Sequence, residues 1–346
     1  MVQISTMTKF RLSTLLFIAT LFLPGSANTS LIAEECGTLP NADHPKAVLS
    51  NGLVKAVVFL PDAKDGYYRA SRFDWSGVVG CLSYQGHTYF GEWFAKYDPL
   101  LNDSITGPVE EFRSNDGALG YNEAKPGELF VKVGVGVLRK LDDSPYKFGI
   151  TYPLMDSGHW STHASKDHIS FEQHLSSPIG ISYVYEKVLR LSKHEPVLTL
   201  EHSLKNTGSK TIDTDVYDHD FFMLDEKPTG PGMVVRFPFT PKSTDPLTPN
   251  AKIEDKEIIY QAELQPHQQV ASYLEGYSTN PADYDITVED RNTGVGVEQS
   301  SDSAISRLYL WSTRTTICPE GYIHLVVPPG KTVHWKIRYR FYAGQK

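Results

Sequence analysis

Short runs of alternating apolar and polar residues, each closed by turn residues, recur along almost the whole chain and constrain its fold most strongly. Ala47–Leu49, then Ser50-Asn51-Gly52, then Leu53–Leu60 predict a hairpin with an Asn-Gly turn. The same alternation predicts further strands at Leu129–Leu138, His168–Leu175, Ile181–Leu191, Val197–Leu204, Ile305–Trp311, Tyr322–Val327 and Thr332–Tyr342. No helical periodicity extends over about 11 residues beyond the N-terminal segment. The chain is therefore predicted to be all-β.

The length of the chain, 346 residues, allows two ordinary domains or one large β domain. No Pro/Ser/Gly-rich run, charge block or repeat divides the sequence. Nineteen tyrosines and sixteen phenylalanines suit wide, half-buried sheets. We therefore predict one domain over residues 28–346, a large antiparallel β-sandwich that exceeds an immunoglobulin domain in size.

The first 27 residues have the layout of a secretory signal peptide. Lys9 and Arg11 precede the apolar run Leu12–Leu23, and Pro24 and the small residues 25–27 follow it. The run is shorter than the ~20 apolar residues that a spanning helix needs, so cleavage is favoured over a retained anchor. The sequence thus predicts a secreted or periplasmic protein.

The net charge bears on the class of partner, and the cysteines bear on disulfide pairing and metal binding. The formal charge of −8 would fall to −10 without residues 1–27, which carry two cations and no acids. Such an acidic chain argues against nucleic acid or an anionic membrane as partner. Separately, we expect the protein to be a monomer. The odd number of cysteines, Cys36, Cys81 and Cys318, means at least one free thiol, or one pair and one leftover thiol. Cys36 could reach either of the others. No metal-ligand pattern is present, so neither metal nor cofactor is predicted.

A turn and the strand after it carry the first functional signal. Asn206-Thr207-Gly208 is followed by a strand that reaches Tyr217–Phe222, with His219 inside it. This order resembles the aldose 1-epimerase (galactose mutarotase) superfamily, in which the matching histidine is the catalytic acid. The other interpretation is a structural histidine held by Asp218 or Asp220.

Two further segments extend the resemblance over roughly residues 45–342. Glu320, ahead of a strand and a Pro-Pro-Gly turn, matches the family's catalytic base, and Arg72, ahead of a glycine-containing hairpin, matches its substrate-binding arginine. The resemblance implies the galactose mutarotase-like supersandwich fold and a sugar or oligosaccharide as partner. Without it, Glu320 is a turn carboxylate and Arg72 forms a salt bridge with Asp74.

The chemistry explains why these residue types belong together. A sugar hemiacetal opens when a base takes the anomeric hydroxyl proton while an acid protonates the ring oxygen, and closure on the other face inverts C1. An ordinary glutamate is ionised at pH 7, and a histidine with a pKa near ~6.5 can give a proton. Glu320 and His219 therefore form a complete base and acid, and Arg72 would hold a hydroxyl group.

The chain departs from the family at one place. Between the arginine segment and the Asn-Thr-Gly turn the family carries another histidine, whereas this chain has Thr106–Phe112 with none. Either Glu110 or Glu111 takes over a hydroxyl contact, or the site serves another substrate or reaction.

A sugar site also needs an aromatic side chain on which the sugar can stack and polar side chains that bind its hydroxyl groups. Lys132 on an apolar strand needs a partner if it faces inward, and Glu111 is the predicted one. The candidates for substrate binding are thus Arg72, Trp75, Glu111, Lys132 and Asp218, with Trp93, Trp160 and Trp311 as other possible stacking residues.

Three functions remain open from the sequence. The first is an aldose 1-epimerase that acts on an extracellular sugar or oligosaccharide end. The second is a polysaccharide lyase or hydrolase on the same scaffold, and the third is a non-catalytic carbohydrate-binding protein. Fold alone does not decide among them, because function depends on the site.

Overall fold

The computed structural model describes Cys36, Leu39, Asn41 and residues 43–114 and 117–344, and the predicted signal peptide lies outside these residues. The described residues belong to one compact unit. They contain 23 strands and two short 3₁₀ helices, Leu224–Glu226 and Pro281–Asp283, and no α-helix. No helix in this part of the chain is long and apolar enough to cross a membrane.

The strands are numbered in chain order. The first half of the chain contains β1 (Lys46–Ser50), β2 (Val54–Phe59), β3 (Val78–Tyr84), β4 (His87–Phe90), β5 (Val109–Arg113), β6 (Leu129–Lys132), β7 (Gly136–Arg139), β8 (Leu154–Asp156), β9 (His159–Ala164), β10 (His168–Leu175) and β11 (Tyr183–Leu191). The second half contains β12 (Val197–Asn206), β13 (Ile212–His219), β14 (Met233–Arg236), β15 (Lys242–Ser243), β16 (Ala251–Glu254), β17 (Glu257–Tyr260), β18 (Val270–Glu275), β19 (Asp285–Asp290), β20 (Val295–Ser301), β21 (Arg307–Ser312), β22 (Ile317–Val327) and β23 (Thr332–Tyr342).

Four antiparallel sheets form from these strands. The largest has ten strands in the order β16-β17-β14-β19-β20-β23-β12-β11-β10-β9, and the second has six in the order β15-β18-β21-β22-β13-β5. A four-stranded sheet, β1-β2-β3-β4, and a three-stranded sheet, β6-β7-β8, complete the set. Side chains of β5 and β13 contact side chains of β11, β12 and β23, so the two large sheets pack face to face. The predicted all-β sandwich is confirmed.

Alternation along the strands explains this packing. In β11 every second residue from Tyr183 to Leu191 is buried, because successive side chains of a strand point to opposite faces. The predicted hairpin at the start is present as β1 and β2, and the Asn51 side chain accepts hydrogen bonds from the amides of Leu53 and Val54 at its turn. Its Gly52 adopts a φ of +88°, which favours glycine.

Two predicted strands differ from the structure. The run Leu129–Leu138 is a hairpin of β6 and β7 rather than one strand, and its turn contains Gly134 at a φ of +76°. A Cβ there would lie 2.7 Å from the Asp74 side chain, so only glycine fits the close approach. Strand β22 begins at Ile317 rather than at Tyr322, which places Glu320 inside a strand and not in a turn.

A disulfide attaches the start of the described chain to the sandwich. It joins Cys36 to Cys81 of β3, with a Cα–Cα distance of 5.8 Å, and Cys318 is a buried free thiol. The sequence had left both partners of Cys36 open, and the structure selects Cys81.

Candidate functional site

A cavity of about 420 Å³ lies on the outer face of the six-stranded sheet, within the range of small-molecule sites. Its lining is rich in aromatic, basic and acidic side chains. The lining residues are Arg72, Trp93, Asp103, Arg113, Phe148, Tyr217, His219, Phe221, Gln269, Tyr273, Tyr309, Trp311, Glu320 and Tyr322. Arg72, His219 and Glu320, which were chosen from three separate segments, therefore line one cavity.

The pairing of neighbouring strands brings these side chains together in rows. Glu320 on β22 stands opposite Tyr309 on β21, which stands opposite Tyr273 on β18. Directly paired residues of antiparallel strands project from the same face, so one row crosses three strands. His219 on β13 extends this row, because its Nε2 atom lies 3.3 Å from Oε1 of Glu320.

A second row lies two residues further along each strand. Glu111 on β5 is paired with Tyr217 on β13, and the Tyr217 ring stacks on that of Tyr322 with centroids 4.2 Å apart. Alternate residues share a face, so Tyr217 and Tyr322 follow from His219 and Glu320 by a step of two. This parity in the sequence would have identified both tyrosines, which the motif comparison alone missed.

His219 and Glu320 are both almost fully buried, with side-chain exposures of 5% and 4%. Burial, only partly offset by the positive charge of Arg72, raises the pKa of Glu320 to about 8. Burial, together with the charge of Arg72, lowers the pKa of His219 well below 6.5. These two shifts favour a protonated Glu320 beside a neutral His219 imidazole near neutral pH, which is opposite to the role implied by the family resemblance.

Aromatic rings fix the orientation of the His219 imidazole. Phe221 stacks on it with centroids 3.8 Å apart and an 11° angle between the planes, and Trp311 meets it edge-on at 5.3 Å. Phe221 has a φ of +47°, a left-handed conformation that is costly for a bulky residue. The backbone departs from strand geometry there, directly after β13 ends, yet Phe222 still pairs with Ile317 in the register of β13 and β22. Phe221 stands two residues after His219, and its phenyl ring lies over the imidazole.

Arg72 is held by two carboxylates and a tyrosine. Its Nε donates to Oε2 of Glu111 at 2.8 Å, its Nη1 to Asp103 at 2.5 Å and its Nη2 to the Tyr217 hydroxyl at 3.3 Å. The guanidinium also lies 4.6 Å from the centre of the Phe148 ring. These contacts fix its position in the cavity wall, and the interpretation of Arg72 as a partner of Asp74 is wrong.

Glu111 lies behind the cavity wall rather than in it. It is fully buried, and its Oε1 accepts a hydrogen bond from Lys132 Nζ at 3.0 Å, the partnership expected from the sequence. Burial opposes ionisation, but Arg72, Lys132 and Arg113 together hold the pKa of Glu111 below its usual range. Glu111 and Lys132 therefore position Arg72 and do not line the cavity, which corrects their predicted contact with substrate.

Two other predicted binding residues are placed elsewhere by the structure. Trp75 is 2% exposed and belongs to a buried aromatic cluster. Its indole N–H donates to the Ala70 carbonyl at 2.9 Å. Asp218 is fully buried on the opposite face of β13 from His219, because consecutive strand residues alternate. Neither reaches the cavity. Of the other tryptophans, Trp93 and Trp311 line it, whereas Trp160 is not among the lining residues.

Behind the cavity a polar network fills the space between the two large sheets. The Tyr339 hydroxyl lies 2.5 Å from Oδ2 of Asp218 and 2.8 Å from Oδ1 of Asp220. A hydroxyl has one proton, so at least one of these carboxyl groups must carry a proton of its own. Burial, together with the charge of Glu110, accordingly raises the pKa of Asp218 to about 8.

The acids that might have held His219 are thus occupied in this network. Glu110 binds the ammonium group of Lys187 and accepts from His202 Nε2 at 2.6 Å. Burial works against its charge, but these two partners lower the pKa of Glu110 to about 2. The segment that replaces the family's second histidine therefore supplies one residue to this network and one, Glu111, to the support of Arg72.

The described residues offer no comparable acid–base pair in the wider surface depression. A wider depression of about 580 Å³ near Tyr84, Pro196 and Tyr342 lacks a buried acid–base pair in its lining. Among the described residues, no three His, Cys, Asp or Glu side chains are arranged to hold a metal ion. The cavity with His219 and Glu320 is accordingly the candidate active site.

Comparisons with known proteins identify the fold. No protein-family model matches the chain, and no curated protein matches it in sequence. The Slr1438 protein from Synechocystis sp. PCC 6803 superposes with a TM-score of 0.55 at 14% identity, over 87% of this chain and 97% of that one. A galactose mutarotase-like protein from Lactobacillus casei gives 0.52 at 13% identity, over 86% and 100%. The GalM/aldose epimerase homologue from C. elegans gives 0.53 at 10%, over 87% and 99%. The chain has the galactose mutarotase-like fold.

Proposed function

We propose that this galactose mutarotase-like chain is an aldose 1-epimerase that interconverts the anomers of a sugar or of the reducing end of an oligosaccharide. The observation that carries the proposal is the 3.3 Å contact between His219 and Glu320 in the wall of a ligand-sized cavity. Trp93 and Trp311 offer ring surfaces in the same wall, and sugars commonly pack against such faces.

The pair can supply both proton transfers of the reaction. With one proton between them, Glu320 and His219 interconvert between a neutral form and a carboxylate–imidazolium form across their short contact. In the second form the carboxylate takes the proton of the anomeric hydroxyl while the imidazolium protonates the ring oxygen, which opens the ring. Ring opening leaves a protonated Glu320 and a neutral His219, so the number of protons on the pair is unchanged. After rotation about C1–C2 the reverse transfers close the other anomer and restore the carboxylate–imidazolium form.

Arg72 would bind a hydroxyl or the ring oxygen of the sugar. Its guanidinium is fixed by Glu111 and Asp103, so little side-chain entropy is lost when a ligand arrives. The positive charge also favours the carboxylate form of Glu320. Arg72 therefore both positions the substrate and supports the base.

A lyase mechanism is less well supported by the same cavity. Elimination from a polysaccharide needs a base to remove a carbon-bound proton, and tyrosine is a candidate for that role in the second row. Burial raises the pKa of both Tyr217 and Tyr322 well above 10, and neighbouring carboxylates raise both further. A hydrolase would need two free carboxyl groups, but Asp103 is bound to Arg72.

The test is polarimetry on freshly dissolved reducing sugars. The purified protein should accelerate the change in optical rotation of at least one of them, and Glu320→Gln should abolish the acceleration. A panel in which a sugar binds without any acceleration would support the non-catalytic binding protein instead, and new ultraviolet absorbance from an unsaturated sugar would support the lyase.

We also propose that the protein is exported after cleavage near residue 27. The Cys36–Cys81 disulfide supports this, because such bonds persist mainly in oxidising compartments. Mass spectrometry of the exported protein should give a mature N-terminus near Asn28, and retention of residues 1–27 would contradict the proposal.

A further inference from the structure

A second arginine, Arg113, lines the cavity at the end of β5, beyond the rows that contain the acid–base pair and Arg72. Strand pairing places it opposite Asp215, whereas Glu111 is opposite Tyr217 and Val109 is opposite His219. Arg113 therefore stands two rows from the acid–base pair, at roughly 13 Å along the backbone for four strand residues. The long arginine side chain spans part of that distance, so its guanidinium can reach a substituent of a sugar whose C1 lies beside His219 and Glu320.

The partners of Arg113 differ from those of Arg72. Within the part of the chain that the structure describes, no carboxylate forms an ion pair with the Arg113 guanidinium, which lies 5.9 Å from the centre of the Phe148 ring. Asp215, which is paired with Arg113 across the strands, is already bound to Arg307 at 2.9 Å and to His324 at 2.9 Å. Glu111, whose charge acts most strongly on Arg113, is bound to Arg72 and Lys132. Arg113 thus presents a guanidinium whose hydrogen-bond donors are not used by described residues.

The charged side chains around the cavity also sum to a positive charge. Arg72 and Arg113 line the cavity together with one ionised carboxylate, Asp103, whereas Lys132 and Glu111 offset each other behind its wall. The remaining acid of the wall, Glu320, is mostly protonated at pH 7 because its pKa is raised to about 8. The site therefore has an excess of one positive charge, in a chain whose formal charge is −8.

We propose that the substrate is a sugar that carries a carboxylate, a hexuronic acid or a uronate at the end of an oligosaccharide, and that Arg113 binds that carboxylate. The inference rests on the proposed function for the position of C1, beside His219 and Glu320, and the carboxylate at C5 then projects toward Arg113. One excess positive charge matches one carboxylate, whereas a phosphate dianion would leave the site negative. A guanidinium also binds a carboxylate through two parallel hydrogen bonds.

The experiment compares matched sugars and matched variants. Mutarotation rates are measured for D-glucuronate, D-glucose and D-glucose 6-phosphate with the wild-type protein, Arg113→Gln, Arg113→Lys and the control Arg338→Gln. Arg338 is an exposed arginine on β23 of the other large sheet, so its loss tests the general effect of removing one surface charge. Thermal unfolding of each variant confirms that the fold is retained.

We expect kcat/KM of the wild-type protein to be highest for D-glucuronate. In Arg113→Gln the ratio of kcat/KM for D-glucuronate to that for D-glucose should fall about 10- to 100-fold, the size of a lost charge-assisted pair. Arg113→Lys should recover part of the ratio, and Arg338→Gln should keep it. A ratio unchanged in Arg113→Gln, or a preference for glucose or for the phosphorylated sugar, would overturn the proposal.

A binding measurement separates this inference from the proposed reaction. Trp93 and Trp311 line the cavity, so titration of D-glucuronate can be followed by tryptophan fluorescence whether or not the sugar is converted. If no sugar is converted, the epimerase proposal fails, but a Kd for D-glucuronate that rises at least tenfold in Arg113→Gln still supports the carboxylate site. An unchanged Kd would overturn it.

Discussion

The Nε2 atom of His219 lies 3.3 Å from the Oε1 atom of Glu320, and the two residues belong to neighbouring strands of one sheet. Their separation is set by the distance between hydrogen-bonded strands and not by the conformation of a loop. Groups placed on regular elements are held more precisely than groups on loops. The pair is consequently positioned before any ligand arrives.

Removal of either member of the pair should abolish proton transfer while the cavity is kept. Glu320→Gln retains the shape of the side chain but cannot accept a proton, and His219→Asn removes the other transfer. We expect kcat/KM for mutarotation to fall about 10² to 10⁴-fold in each variant, as for other general acid–base residues. Polarimetry gives the rate, and tryptophan fluorescence gives the sugar affinity, which should change by less than about tenfold. A loss of rate below threefold in either variant would rule out its catalytic role.

The pH dependence of the free protein should reflect the single proton of the pair. Because the pKa of Glu320 is raised to about 8, the pair loses this proton above that pH, and kcat/KM should decline there. Because the pKa of His219 is lowered well below 6.5, a second proton binds only in acid, and the acidic decline should begin below pH 6.5. Rates from pH 4 to 10 test both limbs. Full activity at pH 10 would show that the proton on Glu320 is not required.

Replacement of Asp218 by asparagine should change how stability depends on pH. In the unfolded chain this carboxyl group titrates near pH ~4, whereas in the folded protein burial beside Glu110 raises its pKa to about 8. Between these values the folded state binds the extra proton, so the contribution of Asp218 to stability falls as pH rises, by at most about 1.4 kcal/mol per unit. Above pH 8 it changes no further.

Urea unfolding at pH 5, 6, 7 and 8 measures this effect. The free energy of unfolding of Asp218→Asn, relative to wild type, should increase steadily across the series, because the amide does not titrate and can donate to the Tyr339 hydroxyl. Parallel curves for the two proteins would mean that Asp218 is already ionised in the folded state.

Reduction of the Cys36–Cys81 disulfide should destabilise the protein without unfolding it. The bond closes a loop with a sequence separation of 45, and the chain-entropy relation gives roughly 4 kcal/mol for a loop of that length. Urea unfolding with and without a reducing agent measures the loss. Cys318→Ala is the matched control, since it removes the free thiol and should lose the same amount on reduction. No change on reduction would contradict the pairing.

The sequence predicted the strands well because alternation is a local property. The boundaries of β10 and β23 were predicted to the residue, and the sandwich itself is confirmed. The prediction that Asp218 binds substrate was wrong because successive side chains of a strand point to opposite faces, so the residue next to His219 faces away from the cavity. Trp75 failed for another reason, since it lies outside any strand, and its burial depends on contacts with distant parts of the chain.

The sequence identified only some of the residues that line the cavity. Tyr217 and Arg113 share faces with residues that the motifs identified, but which strands become neighbours is a non-local outcome that no single segment encodes. Strand β5 lies beside β13 although roughly a hundred residues separate them in the chain. The contribution of Arg113 to the cavity becomes visible only with that topology.

Strands β5 and β13 each serve two purposes on their two faces: Glu111 and His219 on the cavity side, Glu110 and Asp218 on the side of the buried network. A shift of one residue in either strand would exchange the two sets. An insertion or deletion of a single residue within them would therefore disrupt the cavity and the buried network at once. The loops around the cavity, in contrast, can change in length without altering which face of either strand meets the cavity.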